Sequence, residues 1–231
     1  MSNVQVVILA AGMGTRLGRP LPKPLTVLAD GRSILSQQLD NLHQELGEDV
    51  PVTLVVGFKA TIVMEAAPDL QYVYNQWYDS TNTNRSLLKA LRASRAGGVL
   101  WMNGDVVFDA KILDAVRPSL EADESFVCVN TAKVADEEVK YTVDEQGYVR
   151  ELSKSVVGGL GEAVGINFVS SGDKAALIDQ LAACEDQDYF ERGMELAIAE
   201  HGVRFRPLDI SEFAAVEVDS EEDLLRANAL D

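Results

Sequence analysis

Length, composition and charge limit the classes of protein to which this chain can belong. It has 231 residues, 47% of them apolar, which suffices for one substantial core, so we expect residues 1–231 to form a single domain. Its net charge of −17 argues against a nucleic-acid partner, because phosphate backbones select basic surfaces. No apolar run reaches the roughly 18 residues of a membrane span, so no membrane partner is expected either.

The cysteines and the first residues indicate the compartment. Cys128 and Cys184 have neither a metal-ligand spacing nor a disulfide framework, so they predict buried thiols in a reducing environment. The opening run MSNVQVVILAAG has no basic region before its apolar residues, so it predicts a strand and not a signal peptide. We therefore expect a cytoplasmic protein.

In the first half of the chain, apolar runs alternate with helical patterns, as in a largely parallel sheet with crossover helices. The predicted strands are Val4–Ala10, Val52–Val56, Gln71–Tyr74, Gly98–Met102 and Phe126–Asn130. The predicted helices are Ser33–Leu46, Asn84–Arg95 and Ala110–Leu120. Ser33, Asn84 and Asp109 are expected to cap these helices.

The second half is less regular. A glycine turn at Glu145-Gln146-Gly147 predicts a hairpin. The predicted strands are Tyr141–Asp144, Tyr148–Leu152, Ala163–Val169, Val203–Leu208 and Ala214–Val218, and the predicted helices are Asp173–Cys184, Tyr189–His201 and Glu221–Leu230. No repeat or linker interrupts the pattern, which agrees with a single domain.

A glycine loop follows the first strand. In Leu9-Ala10-Ala11-Gly12-Met13-Gly14-Thr15-Arg16, an apolar strand runs into small residues, which lets backbone N–H groups approach phosphate oxygens. The loop lies at the carboxyl end of a strand, where open α/β sheets bind ligands. It is not a dinucleotide fingerprint, which would need glycine in place of Leu17, and the chain contains no Walker A sequence.

The same region contains cations and no acids. None of the 37 Asp and Glu residues lies within residues 1–29, which contain Arg16, Arg19 and Lys23. A buried strand followed by a loop accounts for the apolar residues of this region but not for its three cations. The segment therefore predicts a local positive site for an anionic phosphate in an otherwise acidic protein.

These residues, in the pattern G-x-G-T-R followed six residues later by P-K-P-L, resemble the signature of the sugar-1-phosphate nucleotidyltransferase superfamily. The resemblance implies a Rossmann-like three-layer α/β sandwich with a mostly parallel mixed central sheet, the nucleotide-diphospho-sugar transferase-like fold. It also implies that the NTP triphosphate is wrapped by Leu9, Ala10, Ala11, Gly12, Met13, Gly14 and Thr15. Arg16 would stabilise the β,γ-phosphates that leave as pyrophosphate, and Lys23 the transferred α-phosphate. Such a displacement depends on positioning and charge stabilisation, and an acceptor that is already an oxyanion needs no general base.

Two strand ends supply candidate metal ligands. Asp105 follows Gly104 after an apolar strand, and Glu217 and Asp219 alternate with apolar residues, so these last two share a strand face. One carboxylate from each segment suffices to hold Mg²⁺ together with substrate phosphates. The superfamily resemblance supports Asp105 and Asp219 as the ligands of a catalytic Mg²⁺ and places Gly104 at the nucleotide. The acids at 221–223 are interpreted as first-turn residues of a helix.

The segment from Tyr74 to Leu87 resembles the choline-phosphate, inositol-1-phosphate and phosphonate cytidylyltransferase branch of that superfamily, although Thr83 stands where a second Asn is common. This branch implies CTP as the donor. Amide and hydroxyl groups can contact a pyrimidine edge, so Asn82 and Ser86 are predicted to contact the base. The alternative is a polar loop with Asn84 as a helix cap.

A second resemblance to this branch concerns the acceptor. Lys140, Lys154 and the Gly-Glu pair at Glu162 match its pattern, which implies that they bind a small phosphorylated or phosphonate acceptor. Tyr189 is placed with them, because Asp188-Tyr189-Phe190-Glu191 resembles the aromatic and acidic helix start that lies by the acceptor in the choline-type members of this branch. An aromatic ring beside carboxylates also suits a cationic amine. Tyr189 and Phe190 can equally be core residues of their helix.

The predicted function is therefore Mg²⁺-dependent transfer of CMP from CTP to such an acceptor. The alternatives are a UTP- or dTTP-dependent sugar-1-phosphate enzyme, an inositol-1-phosphate acceptor, and a non-catalytic nucleotide-binding subunit that kept the fold. The last would be expected to lose cations or metal ligands, whereas Arg16, Lys23, Asp105 and Asp219 are all present. The oligomeric state is left open, a homodimer included.

Overall fold

The structure, a computed structural model, describes residues 4–14, 16–132, 134 and 138–230. The strands are β1 (Gln5–Ala10), β2 (Val52–Val56), β3 (Gln71–Tyr74), β4 (Val99–Asn103), β5 (Val106–Phe108), β6 (Phe126–Asn130), β7 (Lys140–Val143), β8 (Val149–Ser153), β9 (Glu162–Val169), β10 (Arg206–Asp209) and β11 (Ala215–Glu217). The helices are α1 (Ile34–Leu46), α2 (Ala60–Ala66), α3 (Thr83–Ala93), α4 (Lys111–Glu121), α5 (Lys174–Ala183), α6 (Phe190–His201) and α7 (Glu221–Ala227). A short 3-10 helix covers Lys23–Leu25.

Most strands form one mixed sheet in the order β10-β6-β9-β4-β1-β2-β3, to which the β7–β8 hairpin is added through β9. The pairs β1–β2, β1–β4, β2–β3 and β6–β10 are parallel, whereas β9 runs antiparallel to β4 and β6. This confirms the predicted mostly parallel central sheet.

Helices cover both faces of the sheet. Val6 and Ile8 of β1 pack into a core with α1, α2 and α4, whereas Val7 packs on the opposite face with α3, α5 and α6. A central strand buried on both faces reads as a continuous apolar run, which is why β1 has no polar alternation. The three-layer arrangement is confirmed. That residues 1–231 form a single domain stays a prediction.

The caps were predicted in part. The Ser33 hydroxyl accepts from the Ser36 amide at 3.1 Å and begins α1, as expected. Helix α3, predicted to be capped by Asn84, begins slightly earlier: its N-cap is Asn82. Asn84 is buried in its first turn and donates to the Glu185 carbonyl at 2.6 Å. Asp109 accepts from the Lys111 amide at 2.9 Å, although the N-cap position is Ala110.

Three elements were not predicted: the 3-10 helix that begins at Lys23, helix α2, and the three-residue strand β5, which directly follows Asp105. β5 pairs antiparallel with β11 in a separate two-stranded sheet, with Glu217 opposite Val106. The amide of Val218 donates to the carbonyl of Asp105 at 2.9 Å, so the two acidic segments are joined through their backbones. Among the described residues, no helix is long and apolar enough to cross a bilayer.

Candidate active site

A cavity of about 670 Å³ opens at the carboxyl ends of β1 and β4. Of the predicted site residues it is lined by Leu9, Ala10, Gly12, Gly14, Arg16, Lys23, Asn82, Gly104, Asp105, Lys154, Tyr189 and Asp219. Ala11, Met13, Ser86, Lys140 and Glu162 are not among the lining residues, and Thr15 lies outside the described residues. Its size and place are those of a ligand site in an open α/β sheet.

Two glycines let the backbone come close at this edge. The Gly104 amide donates to the Leu9 carbonyl at 2.9 Å, and a Cβ at residue 104 would lie 2.8 Å from that oxygen. Gly14 has a φ of +59°, in the left-handed region that favours glycine, and a Cβ there would meet Lys23 Cβ at 3.1 Å. Glycine is therefore required at both positions for the loop to pack beside Lys23 and the end of β4.

Three carboxylates converge in the cavity. Asp105, Glu217 and Asp219 each offer an oxygen, and these oxygens all lie within 4.8 Å of one another. The β5–β11 pairing brings them together, because Asp105 directly precedes β5, Glu217 is the last residue of β11 and Asp219 follows it by two positions. Oδ1 of Asp105 is buried and has no hydrogen-bond partner among the described residues. Such a set of oxygens suits a hard divalent cation.

The two predicted cations face this cluster. Lys23 Nζ contacts Asp105 Oδ2 at 2.6 Å and also Asp219 Oδ1, and Arg16 Nη2 lies 2.7 Å from Asp219 Oδ2. Burial lowers the pKa of Lys23, but the two aspartates outweigh it and hold the pKa above its usual value. Lys23 is therefore charged at neutral pH.

Glu217 was noted in the sequence beside Asp219 but was not predicted as a ligand. Burial, and then the charges of Asp105 and Asp219, raise its pKa well above its usual value. Lys23 acts in the opposite direction but does not outweigh the burial and the two aspartates. The alternating pattern at 216–219 was the signal that could have found this residue.

The beginning of α3 forms another side of the cavity. Asn82 accepts from the Thr83 amide at 2.8 Å through Oδ1 and donates to the Gln187 carbonyl at 3.2 Å through Nδ2, and both Asn82 and Thr83 line the cavity. Ser86 corrects the sequence prediction: it is only 5% exposed, lies outside the lining, and its hydroxyl accepts from Asn75 at 3.1 Å. A residue one turn into the helix faces the core here and not the ligand space.

The end of the cavity near α6 contains two of the four predicted acceptor residues, Lys154 and Tyr189, and a further carboxyl that was not named as a site residue. Lys154 Nζ lies over the Tyr189 ring, 5.6 Å from its centroid. Both aromatics line the cavity, but Tyr189 is 48% exposed whereas Phe190 is also a core residue, buried against Trp101 in an edge-on ring contact. Glu191 belongs to the same sequence motif as Tyr189 but was not named as a site residue. It is buried yet lines the cavity, and its Oε2 has no hydrogen-bond partner among the described residues.

The electrostatic state of Glu191 follows from its burial. Burial raises its pKa to about 7, while its own backbone N–H and the charge of Lys154 act in the opposite direction. Glu138, which also lines the cavity, has its pKa raised by burial and then by Glu162. Lys140 and Glu162 lie opposite each other where β7 meets β9, beside this end of the cavity. Carboxyls with shifted pKa values in a cleft often mark functional sites.

Comparison with known proteins assigns the family. The chain matches the MobA-like NTP transferase domain over residues 6–193. It belongs to this family of nucleotidyltransferases. The matched range contains Arg16, Lys23 and Asp105, whereas Asp219 lies beyond its end. Family membership confirms the predicted class of enzyme.

Individual relatives agree with that assignment. A CMP-5'-(3-aminopropyl)phosphonate synthase from Streptomyces rubellomurinus is 29% identical over 262 residues, aligned with 97% of this chain and 38% of its own length. This chain thus spans well under half of that relative. A CTP:phosphocholine cytidylyltransferase from Streptococcus pneumoniae has the same fold, with a TM-score of 0.74, 17% identity and 98% of each chain covered. So does an inositol-1-phosphate CTP transferase from T. maritima, with a TM-score of 0.76, 16% identity, and 95% and 90% covered.

Proposed function

We propose that this enzyme transfers CMP from CTP to a small phosphate or phosphonate acceptor, releases pyrophosphate, and uses Mg²⁺. The observation that carries the proposal is the position of Lys23 between Asp105 and Asp219, in a cavity that the glycine loop also lines. Such a site combines a phosphate-binding backbone, a cation at the reacting phosphorus and carboxylates for a metal.

The residues present fit Mg²⁺. Asp105 and Asp219 would hold it, with Glu217 beside them. The buried Oδ1 of Asp105 has no hydrogen-bond partner among the described residues, so it is available to a cation. When bound, the ion supplies positive charge to the phosphate oxygens.

The reaction itself requires little else from the chain. Gly12 and Gly14 bring backbone close to the triphosphate, Lys23 stabilises charge on the transferred phosphoryl group, and Arg16 stabilises the departing pyrophosphate. The acceptor's phosphate or phosphonate oxygen attacks phosphorus in line and carries no proton that must first be removed. The lack of a histidine among the described residues of the cavity lining agrees with this mechanism.

Cytosine as the base is supported by polar groups at the start of α3. Asn82 uses Oδ1 and one Nδ2 contact within the chain, which leaves its second amide hydrogen for a base oxygen. Thr83 lines the same wall, with its hydroxyl already accepting from the Phe190 amide at 3.1 Å. The similarity to a CMP-5'-(3-aminopropyl)phosphonate synthase also supports a cytidine nucleotide.

A primary amine on the acceptor is favoured over a quaternary one. Glu191 places a buried carboxylate oxygen without a partner in the cavity, which an N–H of an ammonium group can satisfy and a trimethylammonium cannot. Quaternary amines prefer aromatic cages. In the described cavity lining, Phe190 is buried and the Tyr189 ring already lies under Lys154. Lys154 would then meet the acceptor's anionic end, so we propose an aminoalkyl phosphonate or phosphate.

A matrix of substrates tests this proposal. Pyrophosphate release is measured for each of the four NTPs against 2-aminoethylphosphonate, phosphocholine, inositol 1-phosphate and glucose 1-phosphate, with Mg²⁺ or with excess chelator. We expect the highest rate with CTP and 2-aminoethylphosphonate, and none with chelator. A preference for UTP or dTTP with glucose 1-phosphate would refute the cytidylyl assignment, and a preference for phosphocholine would refute the primary-amine assignment.

A further inference from the structure

Residues 17–22 connect the two cations of the site, Arg16 and Lys23, and contact other parts of the chain. Leu17 is only 8% exposed and packs in a small apolar cluster with Val218 and Leu224. The segment is thus anchored by its apolar residue to the chain that follows β11.

A second contact fastens the same two parts of the chain. The guanidinium of Arg19 donates to both carboxylate oxygens of Glu221, with Nε to Oε1 at 3.0 Å and Nη2 to Oε2 at 2.9 Å. Glu221 is the first residue of α7 and stands two positions after Asp219. On the other side, Lys59 Nζ donates to the Pro20 carbonyl. Arg19 is the one cation of residues 1–29 that is not among the residues lining the cavity.

We infer that Arg19 and Glu221 are positioning residues, which fasten the 17–22 segment to the start of α7 and so keep Arg16 opposite Asp219. A two-pronged guanidinium–carboxylate pair fixes orientation as well as distance. Arg16 is 66% exposed at its side chain and makes a single contact to Asp219 at 2.7 Å, so its position depends on how the backbone beside it is held. The kinetic consequence rests on the proposed function, whereas the structural consequence does not.

Limited digestion with trypsin reads the structural consequence directly. Arg19 and Lys23 are each followed by proline, so Arg16–Leu17 is the one bond before residue 32 that trypsin can cut. Cutting there requires Arg16 to leave Asp219 and enter the protease. The rate of appearance of the fragment that begins at Leu17, followed by mass spectrometry, therefore reports how often the segment opens.

Four variants complete this experiment. Arg19→Ala and Glu221→Ala should each speed cleavage after Arg16 by about three- to tenfold. The exchanged pair, Arg19→Glu with Glu221→Arg, should return the rate to within about twofold of the wild type. Asp114→Ala is the matched control, since it removes an exposed carboxylate from an ion pair with Arg117 without removing a trypsin site, and it should leave the rate unchanged. Unchanged cleavage in both alanine variants would overturn the inference whatever the enzyme's substrates are.

Steady-state kinetics tests the positioning role. Arg19→Ala should raise the KM for the NTP and lower kcat/KM about fivefold or more, with the KM for the acceptor unchanged and the activity restored in the exchanged pair. If Arg19→Ala is cleaved faster but keeps the KM and kcat/KM of the wild type, the Arg19–Glu221 pair holds the segment without positioning Arg16, and the inferred positioning role is wrong. A wild type that releases no pyrophosphate with any substrate would instead refute the proposed function and leave the trypsin result to decide the structural part.

Discussion

Glu191 offers the sharpest test of how burial controls the chemistry of the cavity. Its carboxyl is 9% exposed, and burial raises its pKa from the ordinary 4.5 to about 7. Replacing it with Gln keeps the shape of the side chain and removes the ionisation. The difference in stability between the two proteins should therefore depend on pH in a way that this pKa fixes.

The sign and magnitude follow from linkage. Below pH 4.5 both folded and unfolded chains hold the proton, so ionisation of Glu191 has no effect on folding. Between pH 4.5 and 7 the unfolded chain ionises and the folded chain does not, so the wild type loses stability until the loss levels off at about 3 kcal/mol above pH 7. From these two pKa values the loss is about 1 kcal/mol at pH 5.5 and about 3 kcal/mol at pH 8.5. The free energy of unfolding of Glu191→Gln relative to the wild type should thus increase by about 2 kcal/mol over this range.

Urea denaturation at pH 5.5, 7 and 8.5, followed by circular dichroism, measures this difference. An unpaired amide in the variant changes the stability equally at every pH, and the other titratable groups are present in both proteins. The change of the stability difference with pH therefore reports the ionisation of Glu191. Glu200→Gln is the control, because it removes an exposed carboxylate from the same helix and should show no such increase. A stability difference for Glu191→Gln that stays constant with pH would refute the assigned protonation of this buried carboxyl.

The remaining predictions concern the reacting end of the cavity. Lys23→Ala should lower turnover by about 10²–10³-fold while the protein stays folded, measured by pyrophosphate release and circular dichroism, and wild-type rates would remove Lys23 from the mechanism. Asp105→Asn and Asp219→Asn should each shift the Mg²⁺ titration of activity to higher concentration, and an unchanged titration in either would discard that ligand. Gly104→Ala should lower Tm or abolish expression of folded protein, because its Cβ would lie 2.8 Å from the Leu9 carbonyl; a fully stable and active variant would show that this contact can relax. The KM for 2-aminoethylphosphonate, relative to that for ethylphosphonate, should fall as pH rises through about 7 in the wild type and stay flat in Glu191→Gln, and equal profiles would separate this residue from the amine.

The sequence predicted the position of most strands but not their order in the sheet. β2, β3 and β6 were predicted residue for residue, and β1, β4 and β9 to within one residue at either end, because strands buried in a sheet are continuous apolar runs. The start of β10 was predicted three residues early, since Val203 and Phe205 are buried outside any strand. β5 was missed because its three residues are all apolar and show no alternation, whereas the equally short β11 lies in a segment that alternates apolar and acidic residues.

Local sequence patterns, together with the superfamily resemblance, pointed to two cations and two of the three carboxylates of the candidate site. The acid-free first 29 residues, the glycines and the two strand-end aspartates singled out Arg16, Lys23, Asp105 and Asp219. Motifs of this kind are readable because each needs a fixed spacing along one stretch of chain.

Only the tertiary structure decided what depends on distant segments. The β5–β11 pairing brought Glu217 to Asp105, the packing of α3 turned Ser86 into the core, and the burial of α6 left Glu191 with an unpartnered oxygen in the cavity. It also showed that Arg19 meets Glu221, 202 positions further along the chain. Spacing along a chain fixes which groups a loop or strand presents, whereas burial and long-range pairing fix their neighbours, and those neighbours set charge, protonation and access.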